Sequence, residues 1–216
     1  MLEVIPGILE KDWDKIETKL EALKGLVRTV QIDVIDGKFT DAKTFLDPKP
    51  FSKYKDDFIL EAHFMVNEPI NYLDSFATAG FKRFIGQIEK MSDQTEFVAK
   101  GELLGEVGLS IDLDTGLEKI KVDLFDLDCI TIMTVKAGVS GQAFNSENLG
   151  KVKDLLKKLQ EHPLEKKLDI ETDGGMNEKT LLLAKEAGVN RFIVNSFLFN
   201  GDISENLKKI RLLLGR

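Results

Sequence analysis

The segment QIDVIDGKF, residues 31–39, places polar side chains inside a run that is otherwise apolar. Asp33 lies between β-branched residues, Gln31 stands two positions before it, and Asp36 directly precedes Gly37. A carboxylate inside an apolar strand is poorly placed for packing, because burying a charge is costly unless the charge is paired. The segment therefore indicates a functional site at Asp33, whereas an aspartate before a glycine is typical of a turn.

Comparable interruptions end other apolar runs of the chain. They are Pro6 with Gly7, His63 with Met65, Gln87 with Glu89, the loop MTVKAGVSGQAF, the segment ETDGG and the segment VNSF. Each consists of polar or glycine residues directly after, or at the end of, a β-branched stretch. We expect them to meet at one face of the fold if the strands are parallel.

The elements that position these residues alternate regularly along the chain. Strands are predicted near 2–8, 28–35, 58–66, 82–88, 106–111, 128–135, 167–172 and 191–195. Helices are predicted near 11–24, 48–55, 69–79, 92–104, 115–121, 146–160, 177–187 and 202–214. Eight strand–helix pairs without a linker favour an α/β fold made of a single (β/α)8 TIM barrel, with residues 1–216 as one domain, over a doubly wound sheet.

The composition excludes several classes of partner. A net charge of −7 argues against nucleic acid, although a local pocket for one phosphate is compatible with it. No apolar run approaches the roughly 20 residues of a membrane span, and the N-terminus lacks a signal peptide, so we expect a cytoplasmic protein. Cys129, the one cysteine, lies in an apolar run and is expected to be buried and inert.

At these motifs the chain resembles the ribulose-phosphate 3-epimerase family. DVIDGKF resembles the family's DVMDGHF, EAHFMV resembles DxHLMV, and IMTVKAGVSGQAF resembles VMTVxPGFGGQxF. ETDGGMN is similar to EVDGGVN, and NSFLF stands where GSAIF is usual. The resemblance covers nearly the whole chain in order, and it implies a barrel enzyme that acts on a ribulose phosphate.

The resemblance also implies a mechanism. One carboxylate removes a proton from C3 of a ketopentose phosphate on one face, and another carboxylate returns a proton on the opposite face. By match to the family, Asp33 and Asp173 are that catalytic pair, and His63 joins them in binding one divalent metal ion (Mn, Mg, Fe or Zn). The second and seventh strands are expected to face each other across the barrel, so that the two carboxylates flank a flat enediolate.

A phosphate grip follows from the same resemblance. Its residues are Gly138, Gly141, Gly174, Gly175 and Ser196, and the pocket residues are Gly7, Met65 and Met133. Glycines allow backbone N–H groups to approach an anion closely. The expected ligand is therefore a small sugar phosphate, while the oligomeric state stays open, a homo-oligomer included.

The chain departs from the family pattern at the metal site. Gln31 stands where a second metal-binding histidine is usual, and the only other histidine, His162, precedes Pro163 at the end of a predicted helix, at the opposite face of the barrel. The sequence therefore predicts Gln31 as a weak or absent fourth ligand, with a preference for manganese or magnesium over zinc. Other departures are Gly7 for serine, Gln87 for histidine, Ala137-Gly138-Val139-Ser140 for Pro-Gly-Phe-Gly, and Asn195 for glycine.

Three functions remain open at this point. The first is a metal-assisted 3-epimerase of a ketose phosphate of the ribulose 5-phosphate or xylulose 5-phosphate type. The second is another enediolate reaction on the same barrel, against which Ile35 counts because related enzymes carry a lysine there. The third is a non-catalytic or diverged sugar-phosphate-binding barrel that lacks the full metal site, with or without a bound metal, an interpretation that Gln31 and Gly7 support.

Overall fold

The computed structural model describes residues 2–138, 141–161 and 166–215. The described residues form eight parallel strands that close into one barrel in sequence order, with the last strand pairing with the first. The strands are β1 (Glu3–Ile8), β2 (Thr29–Ile35), β3 (Ile59–Met65), β4 (Arg83–Gln87), β5 (Glu106–Ile111), β6 (Cys129–Met133), β7 (Asp169–Asp173) and β8 (Arg191–Val194). The predicted (β/α)8 barrel is thus confirmed.

The helices of the described chain are α1 (Trp13–Leu23), α2 (Leu73–Thr78), α3 (Gln94–Leu104), α4 (Leu149–Glu161), α5 (Glu178–Ala187), α6 (Ser196–Phe199) and α7 (Ile203–Leu214). Two predicted helices are wrong. A 3-10 turn over Lys49–Tyr54 replaces the helix predicted near 48–55, because prolines in DPKPF remove backbone donors. Near 115–121 the chain forms only a three-residue 3-10 turn, Leu117–Lys119.

Local signals fix the helices that support the site. The Asn177 side chain accepts hydrogen bonds from the N–H groups of Lys179 and Thr180, which caps α5 directly after the loop that follows β7. Gly188 ends α5 in the left-handed conformation, with φ of 104°. The Asn177 cap therefore fixes the end of the β7–α5 loop, and the Gly188 cap fixes the opposite end of α5.

The main apolar core lies between the strands and the surrounding helices, and a smaller cluster at the barrel mouth contains Met65 and Met133. The interior of the barrel, in contrast, is rich in polar side chains. At its base, Arg191 of β8 forms ion pairs with Glu61 of β3 and Glu171 of β7, and both glutamates are fully buried. Because β3 and β8 are not neighbours, the Arg191–Glu61 pair crosses the barrel interior.

The structure can be compared with the predictions made for Cys129, for Asp36 and for a membrane span. Cys129 is buried, and burial raises the pKa of its thiol well above the usual value. Asp36 forms the predicted turn, since its Oδ1 accepts hydrogen bonds from the N–H groups of Lys38 and Phe39. His162 lies outside the described residues, as do positions 139 and 140. Among the described residues, no helix is both long and apolar enough to cross a membrane.

Candidate active site

Asp33, His63 and Asp173 converge at the C-terminal end of the barrel interior. Asp33 of β2 pairs in register with His63 of β3, so the hydrogen-bonded ladder of the sheet sets these two side chains beside each other. Asp173 is the last residue of β7. The His63 Nδ1 atom lies 3.5 Å from Asp33 Oδ1 and 3.4 Å from Asp173 Oδ2.

The expectation that the second and seventh strands face each other needs a correction. β1 and β8 separate β2 from β7, so the two strands are three positions apart in the closed barrel rather than diametrically opposite. The carboxylates meet nevertheless, because both side chains point into the narrow interior. Their convergence therefore depends on barrel closure and not on strict opposition of the strands.

The other ring nitrogen of His63 is held by Gln87. His63 Nε2 lies 3.0 Å from Gln87 Oε1, and both side chains are fully buried. An amide oxygen only accepts hydrogen bonds, so Nε2 carries the hydrogen. In the neutral ring this leaves the lone pair of Nδ1 directed towards the two aspartates, as a histidine that binds a metal ion requires.

Burial and like charge perturb the ionisation of the site. The pKa of Asp33 is raised to about 6, first because burial disfavours the charged carboxylate and second because Asp173 adds a negative charge nearby. Burial alone lowers the pKa of His63, but the two carboxylates outweigh it and raise that pKa well above the usual value. A carboxylate with a pKa near 6 is suited to proton transfer close to neutral pH.

Gln31 bridges the two aspartates with its amide nitrogen. Its Nε2 donates hydrogen bonds to Asp33 Oδ1 at 2.9 Å and to Asp173 Oδ2 at 2.8 Å. Its Oε1 is buried and has no hydrogen-bond partner within the described part of the chain. The amide thus presents donor hydrogens, not its oxygen, to the position where a fourth ligand was predicted.

Three side chains nevertheless have the chemistry of a metal site. Ligand atoms of Asp33, His63 and Asp173 all lie within 4.8 Å of one another. His63 Nδ1 is buried and makes no hydrogen bond to any described residue. Two ligand atoms each about 2.1 Å from one ion, at tetrahedral angles, are about 3.4 Å apart, which matches the separations of Nδ1 from the carboxylate oxygens. These residues fit a divalent ion without specifying which one.

A cavity of about 280 Å³ opens above these residues. The predicted residues that line it are Asp33, Met65, Met133, Gly138, Gly141, Asp173, Gly174, Gly175 and Ser196. Gly7 is not among the residues that line this cavity, so its predicted place in the pocket stays a prediction. A Cβ atom at position 7 would lie 2.7 Å from Ile193 Cγ2, so close packing requires glycine at this position.

The glycines after β7 are required by the backbone and by close packing. Gly174 has φ of 114° and Gly175 has φ of 65°, which L side chains rarely adopt. A Cβ atom at Gly175 would lie 2.9 Å from backbone atoms of Phe144. The loop can therefore pack tightly at the rim of the cavity only with glycine at this position.

Sequence reasoning missed an ion pair in the cavity wall. Glu10 and Lys19 both line the cavity, and Lys19 Nζ lies 2.8 Å from Glu10 Oε1 and 4.3 Å from the ring centroid of Phe199. Lys19 belongs to α1, where alternating lysines and apolar residues indicate an ordinary solvated face. No local pattern distinguishes this lysine from its neighbours, because its position depends on contacts with Glu10 and Phe199, which lie outside α1.

Fold and site together define a (β/α)8 barrel with an acidic, histidine-containing centre at the C-terminal ends of its strands. The model of the ribulose-phosphate 3-epimerase family matches residues 3–199, and the chain belongs to this family. It is 30% identical to ribulose-phosphate 3-epimerase of Bacillus subtilis, over 98% of this chain and 99% of the relative. The enzyme of the same name from Schizosaccharomyces pombe is 29% identical, over 95% and 90%.

Two solved structures illustrate how widely the barrel is shared. KGPDC from Streptococcus mutans superposes with a TM-score of 0.71 at 13% sequence identity, over 100% of this chain and 99% of that protein. The 3-hexulose-6-phosphate synthase from Salmonella typhimurium superposes with a TM-score of 0.65 at 13% identity, over 99% and 98%. At these identities the likeness concerns the barrel fold alone.

Proposed function

We propose that the protein is a 3-epimerase of a ketose phosphate of the ribulose 5-phosphate or xylulose 5-phosphate type. The observation that carries the proposal is the convergence of two carboxylates, Asp33 and Asp173, at the floor of a glycine-rimmed cavity. The names of the relatives support the substrate class. The Salmonella typhimurium protein, which shares the barrel fold, is also named after a sugar phosphate, 3-hexulose 6-phosphate.

In this proposal Asp33 removes the C3 proton from one face of the substrate and Asp173 returns a proton to the other face. The reverse reaction exchanges the two roles, so each carboxylate acts as both base and acid. The raised pKa of Asp33 suits this exchange, because the group gains and loses a proton near neutral pH. Asp33, His63 and Asp173 would hold a divalent ion, whose positive charge would stabilise the enediolate oxygens.

The phosphate end of the substrate is assigned to the glycine-rich rim of the cavity. This rim includes Gly138, Gly141, Gly174 and Gly175, which carry backbone N–H groups, and Ser196, which carries a hydroxyl. Positive φ values at the four glycines let the loops turn their backbone towards the cavity. Binding at this end holds C3 near the carboxylates, which converts binding energy into orientation of the reacting carbon.

One observation favours a second candidate, a barrel that binds a sugar phosphate without turnover. The Gln31 amide already occupies one oxygen of each aspartate, and those oxygens are the ones that face His63 Nδ1. Carboxylates that accept these hydrogen bonds are weaker bases, so such a site can bind a ligand without removing a proton from it.

An epimerase assay in deuterium oxide separates the two candidates. With ribulose 5-phosphate as substrate and Mn²⁺ present, we expect xylulose 5-phosphate carrying deuterium at C3. Asp33→Asn and Asp173→Asn should each lower kcat by about 10² to 10⁴ fold, the usual contribution of general acid–base catalysis. Asp36→Asn is the matched control, because Asp36 forms a turn in the same segment. The amide oxygen of asparagine can still accept the two hydrogen bonds of that turn.

Unchanged activity in Asp33→Asn would refute the proton-transfer role. If the unsubstituted protein binds ribulose 5-phosphate in calorimetry but incorporates no deuterium, with or without Mn²⁺, the binding function is correct instead.

A further inference from the structure

The Gln31 side chain is fully buried and uses both hydrogens of its amide nitrogen. The two acceptors are Asp33 Oδ1 and Asp173 Oδ2, at 2.9 and 2.8 Å. The same two oxygens are the ones that lie 3.5 and 3.4 Å from His63 Nδ1. The amide hydrogens and any ion bound by these three residues would therefore share the same two oxygens, and each positive partner would weaken the attraction of these oxygens for the other.

We propose that Gln31 is a built-in competitor of the divalent ion, and that its amide bridges the two aspartates in the metal-free protein and weakens metal binding. The inference rests on the proposed function only for the location of the ion. It assigns Gln31 a role opposite to that of the histidine usual in the family, which binds the metal. The chain would then bind its metal ion more weakly than its remaining ligands allow.

The surroundings of Gln31 oppose its use as a ligand. For Oε1 to face the ion, the amide must turn over, which would bring Nε2 to the place where Oε1 now lies. That place is buried and offers Oε1 no hydrogen-bond partner among the described residues. Turning the amide would exchange one unpaired acceptor for two unpaired donors and would also break both bonds to the aspartates, so the bridging orientation is favoured.

Gln87 provides a matched control, because it is the other fully buried glutamine at His63. Its Oε1 accepts a hydrogen bond from His63 Nε2, on the side of the ring away from the aspartates, and so supports the orientation of the ring. Removing such a support typically costs about 10 to 100 fold in metal affinity. The two buried glutamines should therefore have opposite effects on metal binding when each is replaced by leucine.

The test is the affinity of chelator-stripped protein for Mn²⁺ at about pH 8, measured by calorimetry and by the electron paramagnetic resonance of free Mn²⁺. We expect Gln31→Leu to bind Mn²⁺ at least about tenfold more tightly than the unsubstituted protein, since a hydrogen bond to a charged group is worth about that factor. Gln87→Leu should bind more weakly. Thermal unfolding should show a lower Tm for metal-free Gln31→Leu and a larger rise in Tm on adding Mn²⁺.

Gln31→Met is the second variant if the leucine variant does not fold, because methionine is unbranched and of similar length. Equal or weaker Mn²⁺ binding in the Gln31 variant would overturn the inference and make Gln31 a ligand or a bystander. Absence of Mn²⁺ binding in both the unsubstituted protein and the variant would overturn it as well. If the Gln31 variant binds Mn²⁺ more tightly but the unsubstituted protein has no epimerase activity, only the proposed function is refuted. If the unsubstituted protein is active but the Gln31 variant binds Mn²⁺ more weakly, only this inference is refuted.

Discussion

Replacing Asp33 by asparagine should stabilise the metal-free protein above about pH 6 while it lowers kcat in the epimerase assay. The pKa of Asp33 is raised from 3.8 to about 6, because burial and the charge of Asp173 disfavour the carboxylate. Between these pH values the folded protein retains a proton that the unfolded chain has released. The free energy of unfolding therefore falls as the pH rises, since stability decreases wherever the native state binds more protons.

The expected size follows from the shift. About two pH units correspond to about 3 kcal/mol, which is fully present as stability below about pH 4 and fully lost above about pH 6. Asparagine at this position does not titrate, and its side-chain oxygen can still accept the hydrogen bond from Gln31. The variant should thus equal the unsubstituted protein near pH 4 and exceed it near pH 8 by up to about 3 kcal/mol, less the attraction between His63 and the Asp33 carboxylate that asparagine removes.

Urea unfolding of both proteins at pH values from about 4 to about 8, in the presence of a chelator, measures this difference. The pKa of Glu61 is also raised, to about 7, and the largest cause is burial of the carboxylate. It titrates in both proteins, so its contribution cancels when one curve is subtracted from the other. A difference that stays constant with pH, or that turns against the variant as the pH rises, would refute the electrostatic reasoning about Asp33.

Two other substitutions test the base and the rim of the barrel. Arg191→Met should lower the free energy of unfolding by about 3 to 5 kcal/mol in urea titrations, because it leaves buried Glu171 without its ion pair and, among the described residues, buried Glu61 with only Arg83, at 3.7 Å. Lys100→Met, which removes an exposed ion pair, should cost less than about 1 kcal/mol. Gly175→Ala should raise the KM for ribulose 5-phosphate about tenfold, since a Cβ there meets Phe144 and displaces the N–H group that we propose to bind the phosphate. Gly201→Ala shares the positive φ but meets no atom within 4 Å, so its KM should not change; an equal rise in both variants would contradict the phosphate assignment.

The strands and the converging acidic residues could be predicted from sequence because their signals are local. β-branched runs define the eight strands, and parallel strands bring their C-terminal ends to one face, so Asp33, His63 and Asp173 had to meet there. The helix predicted near 48–55 was wrong because prolines remove backbone donors there, and near 115–121 only a three-residue 3-10 turn forms.

The orientation of Gln31 and the position of Lys19 could not be predicted. The Gln31 amide is oriented by Asp173, 142 positions away in the chain, and the sequence around residue 31 carries no information about that partner. Lys19 reaches the cavity wall, where it contacts Glu10 and the ring of Phe199, a residue 180 positions away in the chain. Both features are set by contacts between distant segments, which hydrophobic periodicity does not encode.

The contacts across the barrel interior have a consequence for the order of events during protein synthesis. Gln31 bonds to a residue 142 positions later, and Glu61 pairs with one 130 positions later. A nascent chain that has emerged only as far as β6 contains Asp33 and His63 but neither Asp173 nor Arg191. Contacts of such long range form late in folding, because the intervening loop must be closed first. The acidic centre therefore appears together with ring closure, and an incomplete chain on the ribosome has no assembled site with which to bind a metal ion or act on a sugar phosphate.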